Sequence, residues 1–234
     1  MAERIDQVPA YVLHAYPYRE SSLIVETLSQ GHGRVSLVAR GARRAQSSLK
    51  ARLLAFQPLS LSWFGKTGLK TLHDVEWLGG SLRIEGRALM CGFYLNELLL
   101  KLLPAEDPHD ELFAAYQTTL ARLAAGEEPQ AVLRRFELDL LSALGYAQPL
   151  GERADGGAVE PARRYAYVFG EGVVEQMAEA VGYRGQTLLD MAAGDYRDPA
   201  TLAESKQLMR ALLNHYLADK PLMTRQLLID LSSL

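Results

Sequence analysis

The stretch SSLIVETLSQGHGRVSLVAR, residues 21–40, places two runs rich in β-branched and apolar residues on either side of a glycine-rich segment. Runs of this composition are typical of β-strands. The segment QGHG at 30–33 has the glycines that a tight turn favours. The stretch therefore predicts a β-hairpin.

Three further strands are predicted around this hairpin. The run PAYVLHAYPY (9–18) precedes it and is rich in aromatic and apolar residues. Farther along, FQPLSLSWFG (56–65) alternates apolar and polar residues, GKTG (65–68) turns the chain, and LKTLHDVEWL (69–78) returns. Five short strands with a longer connection between the third and the fourth predict a small closed barrel of the oligonucleotide-binding (OB) type, and an SH3-like barrel also fits.

From residue 82 onward the apolar residues recur every three or four positions, which is the period of a helix. The predicted helices cover 87–103, 110–125 and 130–145, and their ends carry the stop signals Pro104, Gly126 and Gly145. Residues 146–175 are glycine-rich and irregular, with a short hairpin in RYAYVFGEGVVE (164–175), and three more helical patterns follow near 186–192, 199–218 and 224–231. The predicted fold class is α+β. An OB barrel over residues 1–80 precedes a mainly helical domain over 81–234, with a loop-rich insertion at about 146–175.

The chain has 234 residues and a single cysteine, Cys91. One cysteine excludes an intrachain disulfide and a cysteine-based zinc site within the chain, and it fits a reducing, cytoplasmic compartment. Cys91 lies in an apolar helical run, where burial as a small hydrophobic residue is expected. The N-terminus shows no export signal, and no apolar run is long enough to cross a membrane.

The charge of the chain is unevenly distributed. Residues 1–80 contain ten Lys/Arg and six Asp/Glu, a net of +4, whereas residues 81–234 contain fifteen against twenty-two, a net of −7. No acid occurs between Glu26 and Asp74, a window that contains Arg34, Arg40, Arg43, Arg44, Lys50, Arg52, Lys66 and Lys70. A solvated loop with incidental bases is one interpretation, but eight bases without an acid favour a polyanionic partner, namely nucleic acid.

Catalytic and metal-binding patterns are weak. FGKTG contains the Gly-Lys-Thr of a phosphate-binding loop, but Ser60 stands where that loop requires a second glycine. The five histidines have no metal-ligand spacing, and no serine lies in a Gly-x-Ser-x-Gly elbow. In EDPHDELF, helix capping by Asp107 with Pro108 in the first turn explains the acids without a metal at His109. We therefore predict neither an enzyme nor a cofactor.

Four blocks of the sequence carry a further signal: LIVETLSQGHGRVSLVARGARRAQSSLKARLLAFQPLSLSW, GFYLNELLLKLLPAEDPHDELF, LRRFELDLLSALGY and KPLMTRQLL. Together these blocks resemble RecO, a family of bacterial recombination mediators. The resemblance implies a non-catalytic protein that binds single- and double-stranded DNA, anneals complementary strands, and acts with RecR to load RecA onto DNA coated by single-strand-binding protein. It also implies a cytoplasmic, nucleoid-associated location.

The chain departs from the family pattern in two places. Many relatives have four cysteines after the Leu-Gly-Tyr motif, which form a zinc site, whereas LGYAQPLGERADGGAVEPARRY contains none. We therefore expect no zinc and a loop over 151–161 without a fixed shape of its own. In the last block, Met223 stands where a basic residue is common in the family.

Two groups of residues are candidate binding sites. The predicted DNA-binding residues are Arg34, Arg40, Arg43, Arg44, Lys50 and Arg52, because these bases can neutralise phosphates. The aromatic residues Tyr16, Tyr18, Trp63 and Phe64 are candidates for stacking on bases, although most aromatic side chains of a small barrel fill its core.

The second candidate site follows from the resemblance, which implies that the helical domain binds the acidic, phenylalanine-ended tail of single-strand-binding protein. The predicted tail-binding residues are Arg134, Leu138, Leu141, Lys220 and Arg225. Arg134 shares a helix face with the two leucines, although Glu137 at i+3 competes for it and the arginine stem also suits a covering role over the core. Two other classes of function stay open at this point, a protein adaptor whose barrel binds no DNA and a hydrolase with a dispersed site.

Overall fold

The computed structural model describes residues 3–80, 82–176, 182–218 and 220–224. The described chain divides into two compact units. The first unit extends to Gly126 and takes in the described residues from Leu222 onward, whereas the second unit covers the described part of Glu127–Pro221. Arg225 lies outside the described residues, as does the helix expected over 224–231 apart from its first residue.

The first unit begins with a closed five-stranded barrel. Its strands are β1 (Arg4–Tyr18), β2 (Ser22–Ser29), β3 (Gly33–Ala39), β4 (Leu59–Phe64) and β5 (Lys70–Trp77). They are joined in the order β1-β2-β3-β5-β4, and β1 also pairs with β4 to close the barrel. Because β3 and β5 pair in parallel, the topology is that of an OB barrel. The predicted α+β fold class and the predicted hairpin over β2 and β3 are confirmed.

The barrel closes because β1 is long and bends at two bulges. Its first half pairs with β4 and its second half pairs with β2, and the register shifts between Ile5 and Val8 and again between Val12 and His14. Bulges of this kind increase the local twist of a strand. The side chains that point inward, including Val25, Leu37 and the fully buried Trp63, fill the barrel.

Three helices complete the first unit. The single-turn helix α1 (Leu49–Arg52) lies in the connection between β3 and β4, and α2 (Gly86–Leu102) and α3 (Asp110–Ala124) follow the barrel. Asn96 in α2 links the helices to β1. Its amide nitrogen donates to the Leu13 carbonyl (2.9 Å), and its amide oxygen accepts from the Tyr116 hydroxyl (2.6 Å). Leu13 is the extra residue at the second bulge of β1, so Asn96 satisfies a carbonyl at an irregular position of the strand.

The start of α3 differs from the sequence-based expectation. The helix begins at Asp110 with His109 as its N-cap, and His109 makes no capping hydrogen bond through its side chain, so the prediction that Asp107 caps it is wrong. Asp107 lies 3.1 Å from the His109 ring, and Asp110 accepts a hydrogen bond from the Gly31 amide (2.7 Å). A side chain at Gly33 would overlap the Asp107 carbonyl. The β2–β3 turn therefore packs closely against the segment before α3.

The second unit combines three helices with a small sheet. Its elements are α4 (Pro129–Ala143), β6 (Arg164–Val168), β7 (Gly172–Glu175), β8 (Tyr183–Arg184), α5 (Gly185–Ala193) and α6 (Pro199–Leu217). The predicted hairpin at 164–175 is confirmed by antiparallel pairing of β6 with β7. Glu128 and Asp198 cap α4 and α6, each followed by proline at the first helical position.

The segment 151–161, which we expected to lack a fixed shape, has a defined course. The Arg153 guanidinium donates to Glu175 (2.7 Å) and lies 3.2 Å from Asp155, whose carboxylate accepts from the Gly157 amide (2.9 Å). A side chain at Gly157 would collide with the Arg153 guanidinium. The ion pairs of one arginine thus fasten this loop to β7.

The chain returns to the first unit at Leu222. The Glu97 carboxylate in α2 accepts hydrogen bonds from the amides of Met223 and Thr224 (both 2.9 Å) and from the Thr224 hydroxyl (2.6 Å). Lys101 lies 2.9 Å from the same carboxylate. Partial burial alone would raise the pKa of Glu97, but the hydrogen bonds from Thr224, Lys101 and Met223 outweigh it and lower that pKa.

We expect Asn96→Leu to lower the free energy of unfolding by about 2–5 kcal/mol, because the substitution leaves both the Leu13 carbonyl and the Tyr116 hydroxyl without this partner in a buried site. Urea denaturation of the full chain measures the change. Gln207→Leu, at an exposed position of α6, is the control and should change stability by less than about 0.5 kcal/mol. Equal effects of the two substitutions would contradict the assigned role of Asn96.

We expect the amide resonances of Met223 and Thr224 to titrate with the Glu97 carboxyl. A carboxyl whose folded-state pKa is lowered stabilises the fold above its unfolded pKa, and that stabilisation is lost as the pH falls through the folded pKa. The NMR midpoint should therefore lie below 4.5, the ordinary value for glutamate. In Glu97→Gln the titration should vanish. A midpoint at or above 4.5 would show that these hydrogen bonds do not favour the ionised form.

Candidate nucleic-acid interface

Four arginines lie together at one end of the barrel, where the β1–β2 turn meets the segment that follows β3. The Arg43 amide donates to the Ser21 carbonyl (2.9 Å), and the Arg43 guanidinium reaches the carbonyls of Arg19 (3.3 Å) and Glu20 (3.4 Å). These bonds fasten the segment after β3 to the turn. We call the exposed set the arginine rim; it consists of Arg19, Arg40, Arg43 and Arg44.

The guanidinium groups of the arginine rim form no ion pair within the described residues. Arg40 makes a long contact to the Thr71 hydroxyl (3.5 Å), and Arg44 folds over the turn at Gly41. Because these guanidinium groups face water without an acidic partner, they can bind phosphate groups without first breaking an ion pair.

Two further predicted bases lie on α1. Lys50 and Arg52 are both exposed, and the Arg52 guanidinium lies 3.8 Å from the Asp74 carboxylate. Both members of that pair are about half exposed, so the attraction between them is weak. Lys50 and Arg52 therefore add positive charge beside β5.

Arg34 lies at the opposite end of β3 from Arg40. Six steps along the strand, at roughly 3.3 Å each, place their backbones about 20 Å apart. The Arg34 guanidinium donates to the Glu26 carboxylate (3.0 Å) and to the Leu103 carbonyl (3.0 Å). Its charge is thus compensated inside the first unit, and Arg34 holds β3 against the end of α2. Contact between Arg34 and DNA stays a prediction, and the ion pair of Arg34 with Glu26 makes it less favourable.

Lys70 is compensated in a similar way. Its side chain is only 7% exposed, and its ammonium lies 2.5 Å from the Glu106 carboxylate, which also accepts from the Gly68 amide (2.8 Å). The hydrogen bond from Lys70 lowers the pKa of Glu106. The acid-free window of the sequence is therefore divided in the fold between bases that are neutralised and bases that are open.

The aromatic candidates also differ in position. Trp63 is 1% exposed and belongs to the core, while Phe64 lies beneath the Arg4 guanidinium and beside His73. The Tyr18 ring lies beneath the Arg19 guanidinium. Tyr16 is 38% exposed, and of these four rings it is the one best placed to stack on a base.

Tyr16 lies on the outer face of β1 beside two polar neighbours. Its ring stacks on His14 with centroids 5.9 Å apart, and its hydroxyl is 3.4 Å from Glu26. Desolvation and then the Glu26 carboxylate raise the pKa of the Tyr16 phenol. The phenol therefore stays neutral at physiological pH, which suits stacking on a base.

Sequence reasoning missed Arg19 and the two neutralising acids. Arg19 lies outside the acid-free window, between two strand patterns. In a three-stranded meander the β1–β2 turn lies beside the end of β3, so the predicted hairpin already contained a signal for Arg19. Glu106 lies far from Lys70 in sequence, and no local pattern indicates that pair.

The predicted tail-binding residues lie in the second unit, apart from Arg225, which is outside the described residues. Arg134 donates to Glu137 and is only 14% exposed, while the Glu137 side chain is fully buried. Leu141 is also fully buried, Leu138 is half-buried, and Lys220 is exposed. Glu137 therefore does pair with Arg134, as the sequence allowed. Binding of the tail through Arg134 stays a prediction, and this ion pair makes it less favourable.

Neither a metal cluster nor a membrane span is found in the part of the chain that the structure describes. Over these residues no group of three or more His, Cys, Asp or Glu side chains is arranged to hold a metal ion. Within the same ranges no helix combines the length and the apolar character needed to cross a membrane.

The closed barrel and the helical region after it define an OB-fold protein of the α+β class. The family profile described as Recombination protein O N terminal matches residues 1–80, and the profile described as Recombination protein O C terminal matches residues 84–226. The chain belongs to the RecO family of DNA repair proteins.

Named relatives agree with this assignment. The chain is 52% identical over 235 residues to the DNA repair protein RecO of Burkholderia pseudomallei (strain 1710b), covering 99% of this chain and 86% of that relative. It is 48% identical to the protein of the same name from Nitrosospira multiformis and 49% identical to that from Aromatoleum aromaticum, in both cases over 99% of this chain and 98% of the relative. The resemblance stated from the four sequence blocks is confirmed.

We expect Arg134→Met to destabilise the protein by about 3–5 kcal/mol, because the substitution removes the arginine partner of a buried carboxylate. Arg135→Met is the matched control on the same helix. The Arg135 guanidinium is 41% exposed and pairs with the partly exposed Asp139, so its loss should change stability by less than about 1 kcal/mol. Chemical denaturation measures both variants. Similar losses would show that Arg134 has no special structural role.

Proposed function

We propose that this protein is a DNA-binding recombination mediator whose barrel holds DNA through the arginine rim and through Lys50 and Arg52. The observation that carries the proposal is the sorting of charge in the barrel. Arg34 and Lys70 are compensated by glutamates, whereas within the described residues the rim arginines have no acidic partner and Arg52 has only a weak one. Exposed guanidinium groups without partners are suited to phosphates.

This kind of contact explains how the protein would act on DNA of any sequence. Phosphate contacts carry no base identity, and stacking of a base on Tyr16 is tolerant of sequence. Neutralising the phosphates of two strands also reduces their mutual repulsion, which favours annealing of complementary single strands. The same chemistry serves single- and double-stranded DNA.

Family membership supports the finer part of the proposal. We propose that the protein acts with RecR to load RecA onto DNA coated by single-strand-binding protein, and that it associates with the nucleoid. The helical part would bind the acidic tail of single-strand-binding protein through an apolar side chain such as Leu138 and a base such as Lys220. No step of this activity requires catalysis or a cofactor.

A protein adaptor whose barrel binds no DNA is the second candidate. It is favoured by two exposed apolar side chains at the end of β5, Trp77 (60% exposed) and Leu78 (53% exposed). Exposed apolar side chains of this size often mark contacts with other proteins. The two candidates differ in the salt dependence of binding to DNA, which an adaptor would lack.

We expect the double substitution Arg40→Ala and Arg44→Ala to weaken binding to a single-stranded oligonucleotide roughly ten- to thirtyfold at 0.1 M salt. Each lost phosphate contact should also reduce the logarithmic salt slope by about 0.7 on single strands, whatever the sequence. Fluorescence anisotropy at several salt concentrations measures both quantities. The control is Lys206→Ala with Arg210→Ala, which removes the same charge from exposed positions of α6.

The outcome decides between the candidates. If the Arg40/Arg44 variant loses affinity for the oligonucleotide and part of its salt slope, while the Lys206/Arg210 control changes little, the result supports DNA binding by the barrel. A folded rim variant with unchanged slope and affinity would contradict it. Equal losses in both variants would show that net charge alone drives the binding.

A further inference from the structure

Arg19 has an unusual backbone conformation for an arginine. Its φ is +51°, in the left-handed region that favours glycine and asparagine. A non-glycine residue in this region raises the free energy of the fold, and such residues cluster at functional sites. The turn between β1 and β2 thus holds an arginine where glycine would relieve the strain.

Among the described residues, four other non-glycine residues have positive φ, and three of them have structural roles in the first unit. Glu106 pairs with Lys70, and the Phe56 ring packs on Gly92 of α2. The backbone amide of Gln7 donates a hydrogen bond to the Ser62 hydroxyl at a bulge of β1. The fourth residue, Ala218, ends α6 in the second unit. The Arg19 side chain makes no hydrogen bond or ion pair within the described residues and is exposed. Stability of the fold does not explain why an arginine occupies this position.

The surroundings of Arg19 hold its guanidinium in a defined place. The guanidinium carbon lies 5.1 Å from the centroid of the Tyr18 ring, which supports one face of the group and leaves its N–H edges open. From the other side of the turn, Arg43 donates to the carbonyls of Arg19 and Glu20. The Arg43 guanidinium is thus partly engaged by the backbone, whereas that of Arg19 is free.

We infer that Arg19 is a phosphate-contacting residue of the DNA site and that Arg43 is a positioning residue that fixes the turn carrying it. The inference rests on the proposed function. The ligand group is the phosphodiester of a nucleic-acid strand, since a planar guanidinium with open N–H edges pairs with two phosphate oxygens. The neighbouring Glu20 is exposed, and its carboxylate repels an acidic peptide as well as a strand of phosphates, so the test includes a peptide.

The conformation of Arg19 permits a clean substitution. Arg19→Gly removes the charge and suits the positive φ, so the variant should fold at least as stably as the parent. With a single-stranded thymidine oligonucleotide at 0.1 M salt, we expect affinity to fall about three- to tenfold and the salt slope to fall by about 0.7. Arg19→Lys, which keeps the charge, should retain most of the slope. Lys206→Ala controls for the loss of one positive charge.

The role of Arg43 is tested by substitution in two backgrounds. Both carbonyls are reached by one terminal guanidinium nitrogen, which stands one atom farther from the backbone than a lysine ammonium. Arg43→Lys should therefore lose nearly as much affinity as Arg43→Ala if the residue positions the turn. If Arg43 acts through Arg19, adding Arg43→Ala to Arg19→Gly should produce little further loss. Full rescue by lysine or additive losses would overturn the positioning role and make Arg43 a direct contact.

Failure of the inference can be distinguished from failure of the proposed function. If the Arg40/Arg44 variant loses salt slope but Arg19→Gly does not, Arg19 is not a contact and only the inference is wrong. If the parent protein shows no salt-dependent binding to the oligonucleotide, both are wrong. If a poly-glutamate peptide binds with the same dependence on Arg19 as the oligonucleotide, the site recognises negative charge in general and the assignment to phosphodiesters is overturned.

Discussion

The amide of Asn96 joins the barrel to the helices that follow it. One side of the amide satisfies the carbonyl of Leu13 at a bulge of β1, and the other accepts from Tyr116 in α3. A buried polar group requires such partners, so the position of α2 over β1 is specified by hydrogen bonding as well as by apolar packing. The contacts of Gly33 with Asp107 and of Gly31 with Asp110 then follow, because α3 begins next to the β2–β3 turn.

This arrangement makes the two ends of the barrel chemically different. Glu26 neutralises Arg34 at the start of β3, and Glu106, in the segment between α2 and α3, neutralises Lys70 beside the middle of β3. Those two bases stabilise the fold. Around the arginine rim, no acid of the described residues forms an ion pair with these arginines, so their guanidinium groups remain open. A single run of bases in the sequence therefore serves two purposes, and what separates them is whether a glutamate of the first unit neutralises the base.

Much of the fold could be predicted from local pattern. The period of two in the strands, the glycines between β2 and β3 and the period of three to four after residue 82 are local signals, and each corresponds to an observed element. Contacts between distant segments carried no such signal. The pairing of Lys70 with Glu106 and the bond from Arg34 to the Leu103 carbonyl depend on tertiary structure, so the sequence did not indicate that these bases are engaged. The bond from Gly31 to Asp110 is of the same kind, and Asp107 was wrongly predicted as the cap of α3. The loop after α4 was misjudged for the same reason, since Glu175 is distant from Arg153 in sequence.

The return of the chain to α2 also affects the order in which the protein forms during translation. The first unit lacks its last segment until the roughly one hundred residues between Gly126 and Leu222 have been synthesised. At ribosomal rates this takes about 5–20 s, which is long compared with the folding of a small domain. During that time the Glu97 carboxylate has Lys101 beside it but none of the amides it later accepts from. The barrel can thus be complete on the ribosome while the surface of α2 that receives Met223 and Thr224 is still accessible to chaperones.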